Sequence, residues 1–245
     1  MKKSVHYLSA MIMVACFTQP AVGQFEGTIT YQSYEYSDNG EREKQDEFTL
    51  YITPNRIMLQ GNDKYNFMGS IETEGVLVRL DRQDFIFMTG DKQALSISKT
   101  DIISMMNMFG AGSQSNSDDE EIRYKKTGES KSILGYPSDK FVFKDDEGHN
   151  TIVWMTKDID VNWGMLAEPW GNNADNLISG GFPMDVVFKE KYFPVKVQGY
   201  KNGELVTVLE AVKVDRSAVP RAMVDVPNGV QILSFQEYLF REMSQ

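Results

Sequence analysis

The sequence predicts a mainly β protein, built as a curved antiparallel sheet or half-barrel with a few short covering helices. Three observations carry that prediction. Apolar and polar residues alternate with a period of two through at least ten short segments rich in Val, Ile, Phe, Tyr and Thr. Such residues suit a pleated surface with one buried side. Clusters of turn-forming residues separate the segments, and no long helical periodicity lies between them to supply the crossovers of a parallel sheet.

The segments follow in order. "FEGTITYQ" places Phe25, Gly27, Ile29 and Tyr31 on one face and Glu26, Thr28, Thr30 and Gln32 on the other. "DEFTLYIT" groups Phe48, Leu50 and Ile52, and "GVLVRLD", "DFIFMT" and "ALSIS" continue the pattern. It returns in "DKFVFKD", "NTIVWMTKD", "MDVVFKEK", "FPVKVQGYK" and "ELVTVLEAVKVD". Turns are expected at Asp38-Asn39-Gly40, Gly61-Asn62-Asp63, Thr89-Gly90-Asp91, Asp145-Asp146-Glu147-Gly148 and Asn202-Gly203. In "TGESKSILGYPSDKFVFKD", six residues separate Gly128 from Gly135. A phosphate-cradling loop needs four, followed by Lys and Ser or Thr. The stretch therefore reads as a hairpin turning at Gly135-Tyr136-Pro137.

Four stretches depart from the strand pattern. "SKTDIISMMNMFGAG" predicts a short helix, capped by Thr100 or Asp101 and ended by Gly110. Ile102, Met105, Met106 and Phe109 form its stripe, Ile103 and Met108 flank it, and only Ser104 and Asn107 are polar. Such a helix must be covered on most sides. The glycine-, serine- and acid-rich residues 110–121 predict a mobile, solvated loop. The region from Val161 to Pro183, with Trp163 and Trp170, predicts a short helix and a loop. Ser234 and Glu237 have the spacing of a capping box and predict a third small helix. With no internal repeat, residues 24–245 are expected to form a single domain.

The N-terminus predicts export. Lys2 and Lys3 precede an apolar run from Tyr7 to Phe17, which is 11 residues long. Spanning a bilayer takes about 20. Ala21-Val22-Gly23 then offers small residues at the first and third positions before a cut, so residues 1–23 read as a cleaved signal. Cys16 in "MVAC" offers a second reading, lipidation at a weak lipobox. Met13 stands there where leucine is usual, and Phe17 follows, so plain secretion is favoured. Cys16 is the only cysteine, so the secreted form can make no disulfide. The formal charge is −10, or −12 once Lys2 and Lys3 are removed. That argues against nucleic acid and against docking on an anionic membrane surface. No later segment has 18 consecutive apolar residues, so no further transmembrane segment is expected.

"TGESKSILGYPSDKF" followed by "TIVWMTKDI" resembles the central signature of the domain-of-unknown-function 4412 family of secreted bacterial proteins. "FEGTITYQ", "YITPNRIMLQG" and "GVLVRLDRQDFIFM" resemble the family's earlier strands, so the likeness covers most of residues 25–200. Many relatives carry a cysteine where this chain has Ser138, which excludes a cysteine-based role here. The resemblance implies an envelope protein without an assigned activity, in the periplasm or associated with the outer membrane. It also implies a lipoprotein-carrier-like fold, in which a curved sheet holds apolar groups under short helices.

Catalytic chemistry finds little support. His149 is the only histidine outside the signal, and it sits in the charged turn "DDEGHN". No His or Cys spacing suggests zinc. Asp118 to Glu121 lack the alternating ligands and turn glycine of a calcium loop. The methionines could hold copper(I), but no His or Cys supports them. No catalytic residue, metal site or cofactor is therefore expected. The favoured reading is a non-enzymatic binding protein whose concave apolar face takes a lipid or a lipoprotein acyl chain. Ile102, Met105, Met106, Met108, Phe109 and Trp154 would form its cover. The alternative is a structural protein with a closed core that binds another envelope protein. A hydrolase would require a pocket joining carboxylates such as Asp158, Asp160 and Glu168.

Overall fold

The computed structural model describes residues 23–37, 39–67, 71–90, 92–101, 124–144, 150–164, 186–187 and 190–242. Twelve strands form one open sheet: β1 (Gly27–Tyr36), β2 (Arg42–Thr53), β3 (Arg56–Phe67), β4 (Ile71–Arg79), β5 (Asp84–Gly90), β6 (Gln93–Ser98), β7 (Tyr124–Ile133), β8 (Tyr136–Lys144), β9 (Asn150–Thr156), β10 (Phe193–Lys201), β11 (Glu204–Asp215) and β12 (Gln231–Ser234). A 3-10 helix spans Arg221–Val224, and α1 spans Phe235–Glu242.

The order across the sheet is β12-β6-β5-β4-β3-β2-β1-β11-β10-β9-β8-β7. Two meanders, β1–β6 and β7–β11, thus lie side by side and join where β1 pairs with β11. Every pairing is antiparallel except that of β12 with β6, which is parallel. The outermost strands do not meet, so the sheet stays an open half-barrel.

Alternation along each strand divides the core. Val76 and Val78, Phe85 and Phe87, and Leu95 and Ile97 join the main cluster with Ile29, Tyr31 and Ile52. Their neighbours Leu77, Ile86 and Ala94 point the other way, into a second cluster with Val219, Val224 and Met223. The chain leaving β11 therefore crosses the reverse face of β3–β6 before adding β12 at their edge. Arg56 fixes this crossing: its guanidinium donates to the Val224 carbonyl at 3.1 Å and pairs with Asp225 at 3.0 Å and Asp81 at 3.1 Å. A third cluster, Phe141, Phe143, Val153 and Met155 with Val186 and Tyr192, covers one face of β8–β9.

Several expected turns differ in detail. Asn202-Gly203 links β10 to β11 with both residues at positive φ (53° and 83°), the two-residue turn that matches strand twist. The β7–β8 hairpin uses the same geometry one residue earlier than expected, at Leu134-Gly135 (φ 52° and 84°), so Tyr136 and Pro137 lie in β8. Gly61-Asn62-Asp63 makes no turn. It lies within β3, where the pairing with β4 shifts register between Gln60 and Tyr65. Residues 186–187, expected in a strand, are helical, and consecutive Val186 and Val187 are both buried rather than alternating.

Two capping boxes are present among the described residues. Ser234 and Glu237 exchange the expected bonds: the Glu237 carboxylate accepts from the Ser234 backbone N–H at 2.8 Å, and Ser234 Oγ accepts from the Glu237 N–H at 3.3 Å. At the end of β6 the cap is Ser98, not Thr100 or Asp101. Asp101 Oδ2 accepts from the Ser98 N–H at 2.9 Å, and Ser98 Oγ accepts from the Asp101 N–H at 3.1 Å. Residues 99–101 are helical. The expected signal (1–23), all but its last residue, and the loop at 110–121 fall outside the described residues.

Candidate functional site

The broadest chemical feature is an apolar face. Ile29 pairs with Leu50, Leu50 with Leu59, Leu59 with Val76, Val76 with Phe87, Phe87 with Leu95, and Leu95 with Leu233. Paired residues in a ladder share a face, so this is one apolar row seven strands wide. A second row, Ile52, Ile57, Val78, Phe85 and Ile97, runs beside it. Tyr31 and Phe48 stack at 5.2 Å at one flank. The Tyr31 hydroxyl donates to the Pro194 carbonyl at 2.5 Å, and burial pushes its ionisation well above the usual tyrosine range. Trp163 stacks on Phe193 at 6.1 Å.

The expected cover residues Ile102, Met105, Met106, Met108 and Phe109 lie outside the described residues. The capped turn at Ser98–Asp101 starts the segment that carries them, directly after β6. Trp154 is placed: it is buried in the same hydrophobic cluster as Ile29 and belongs to a separate ladder of paired residues. Gln32 pairs with Glu210, Glu210 with Lys196, Lys196 with Trp154, and Trp154 with Lys140. Register shifts interrupt the β1–β11, β10–β11 and β9–β10 pairings along this path, and the indole end of the ladder packs into the same buried cluster as Ile29 and Tyr31.

That ladder is polar and cationic. Trp154 is 7% exposed, and its Nε1–H donates to Gln198 Oε1 at 2.8 Å. The Lys131 ammonium sits 3.8 Å from the indole centroid, and Lys140 lies 6.0 Å from the same ring. Lys140 pairs with Glu129 at 2.9 Å and Lys196 with Glu210 at 3.0 Å. Arg42, stacked 3.4 Å over Tyr34, shares Glu210 at 2.5 Å. Burial works to raise the Glu210 carboxyl, but Lys196 and Arg42 outweigh it and hold it below the usual glutamate range. Lys131 is pushed down, first by burial and then by Lys196 and Lys140. Cation–aromatic stacking was not legible in the sequence, because it depends on which strands become neighbours.

Two shallow cavities of about 290 Å³ open at strand ends. One is lined by Asn55, Leu80, Asp81, Gln83, Lys99 and Asn162, the other by Tyr34, Tyr36, Gly199, Tyr200, Val206 and Val208. Asp158 and Asp160 serve through their backbones. The Asp158 carbonyl accepts from Arg216, and the Asp160 carbonyl accepts from the Phe25 N–H at 2.7 Å. Glu168 and His149 lie outside the described residues. Ser138 is buried, and its hydroxyl donates to the Tyr136 carbonyl at 3.0 Å. Among the described residues, no group of three His, Cys, Asp or Glu is placed to hold a metal. No described helix is long and apolar enough to cross a membrane.

No protein-family model matches the chain, and no curated protein matches it. Among solved structures, PNGF-II in its C2 and P21 crystal forms superposes with a TM-score of 0.45 at 17% identity. The superposition covers 88% of this chain and 32% of PNGF-II. An uncharacterized conserved protein from Thermus thermophilus gives 0.43 at 9% identity, over 87% of this chain and 92% of that one. Likenesses this low carry no argument about activity.

Proposed function

We propose that this is a non-enzymatic, exported protein of the cell envelope that binds the apolar chain of a lipid or lipid-like molecule against one face of its sheet. The single observation that carries this is the continuous apolar row from Ile29 to Leu233, which crosses seven strands. The nearly all-apolar segment 102–109 follows directly from the capped turn after β6 and would shelter a chain lying on that row. The likeness to the domain-of-unknown-function 4412 family, and the export signal at residues 1–23, support placement in the envelope. The test is organic extraction of the purified full-length protein followed by mass spectrometry. Bound lipid near one equivalent is expected, with its loss when Met105 and Met106 are both changed to Glu. A lipid-free protein that also fails to bind a fluorescent fatty acid overturns the reading.

A second reading is favoured by a specific observation: Ile29, Ile52, Leu95 and Val195 are all fully buried. A core already filled suits a structural protein that meets its partner through loops or edges. A stable cross-linked complex with another envelope protein, recovered without lipid, identifies that case.

A further inference from the structure

We propose that the lysines around Trp154 form a binding site for a phosphate-bearing ligand. Of four cations, Lys131, Lys140, Lys196 and Arg42, the last three share two carboxylates, Glu129 and Glu210. The local balance is thus positive on a chain whose formal charge is −10. Lys131 is exposed and pairs with no carboxylate among the described residues; its ammonium rests on the indole face instead. Gathering like charges around one ring is unfavourable unless something anionic joins them.

The donor types select the anion. A guanidinium fork matches a carboxylate, but Arg42 is already engaged with Glu210. Lys140 and Lys196 are paired as well, so the donor without a carboxylate among the described residues is the Lys131 ammonium, a compact point charge that can approach a tetrahedral phosphate from several directions. The indole N–H is spent on Gln198, so Trp154 offers only its ring face. That face would pack against the organic part of the ligand once Lys131 turns toward the phosphate. The lysines of the site belong to neither apolar row, so their substitution tests it separately from the acyl-chain reading, with which it shares only Trp154.

The test is titration of the ¹⁵N-labelled full chain with glycerol phosphate, following the Trp154 indole N–H signal. A saturable shift is expected, with affinity falling at least about tenfold in K131Q. It should stay unchanged in K64Q, which removes an exposed lysine on β3, and tighten in E210Q. Phosphatidylglycerol vesicles, against phosphatidylcholine controls, separate the two sources of phosphate. Binding to both probes assigns a lipid headgroup, and binding to glycerol phosphate alone assigns a soluble phosphoester. No saturable shift, equal affinity in K131Q, or binding to vesicles alone overturns the proposal. Lipid extracted from K131Q tests the acyl-chain reading separately, because that variant leaves the apolar face intact.

Discussion

Replacing Gly27 with alanine isolates the seam that joins the two meanders. Gly27 precedes the Thr28–Asp215 pair at the start of the β1–β11 ladder. A Cβ added there would lie 2.0 Å from the Asp215 carbonyl oxygen and 3.1 Å from Arg216 Cα. Both are backbone atoms, so no side chain can swing aside. The strands must part by more than about 1 Å to restore ordinary contact. Losing two or three ladder hydrogen bonds costs about 1 kcal/mol each. Loosening Phe25 and Ile29, both fully buried, adds about 1–2 kcal/mol, and the positive φ of Gly27 about 1–2 kcal/mol more, for a total of about 5 kcal/mol. Gly203→Ala is the control. It also has positive φ but nothing within 4 Å of the added methyl, so only the conformational penalty of about 1–2 kcal/mol applies. Urea unfolding followed by circular dichroism measures both. If Gly27→Ala lowers the midpoint no further than Gly203→Ala does, the close approach at the seam does not govern stability.

Tyr31→Phe removes the hydroxyl that satisfies the Pro194 carbonyl and should cost about 1 kcal/mol in the same urea assay, with Phe48 stacking retained. Ser234→Ala removes the cap of α1 and should cost about 1 kcal/mol locally, read as faster amide exchange at Glu237 without a change in global unfolding. Glu210 is held below its usual range in the folded protein, so its contribution is complete above the ordinary glutamate range. It is lost as pH falls through the lowered value. Glu210→Gln should therefore flatten the acid limb of the stability profile, and an unchanged slope below about pH 4.5 would count against the Lys196–Glu210–Arg42 network.

Much of the sheet was legible because its signals are local. The alternation of Phe85, Ile86 and Phe87 declares a strand with two buried faces, and Asn202-Gly203 declares its turn through residues that tolerate positive φ. Leu134 gave no such sign, since nothing in its chemistry favours a left-handed backbone; the hairpin imposes it. Gly61-Asn62-Asp63 has residues that suit a turn, yet Gln60 and Tyr65, before and after it, both pair with β4 and keep the segment within β3. The parallel docking of β12 and the β1–β11 seam depend on partners distant in the chain. For the same reason the Trp154 ladder could not be read from composition. Trp154, expected among the cover residues, is buried in the main hydrophobic cluster, and strand register adds the lysines over its ring.

The order of strands also sets a timetable. The first meander can zip through successive hairpins that close short loops, whereas β10, which follows β9 only after residues 157–192, the β1–β11 seam and the β12–β6 clasp wait for the last third of the chain. Until those strands arrive, β1 and β6 present raw edges beside broad greasy rows, the arrangement that invites wrong neighbours. A polypeptide of this design is most vulnerable just before it is finished, and it gains from an escort that keeps its first half apart until the second half is there to receive it.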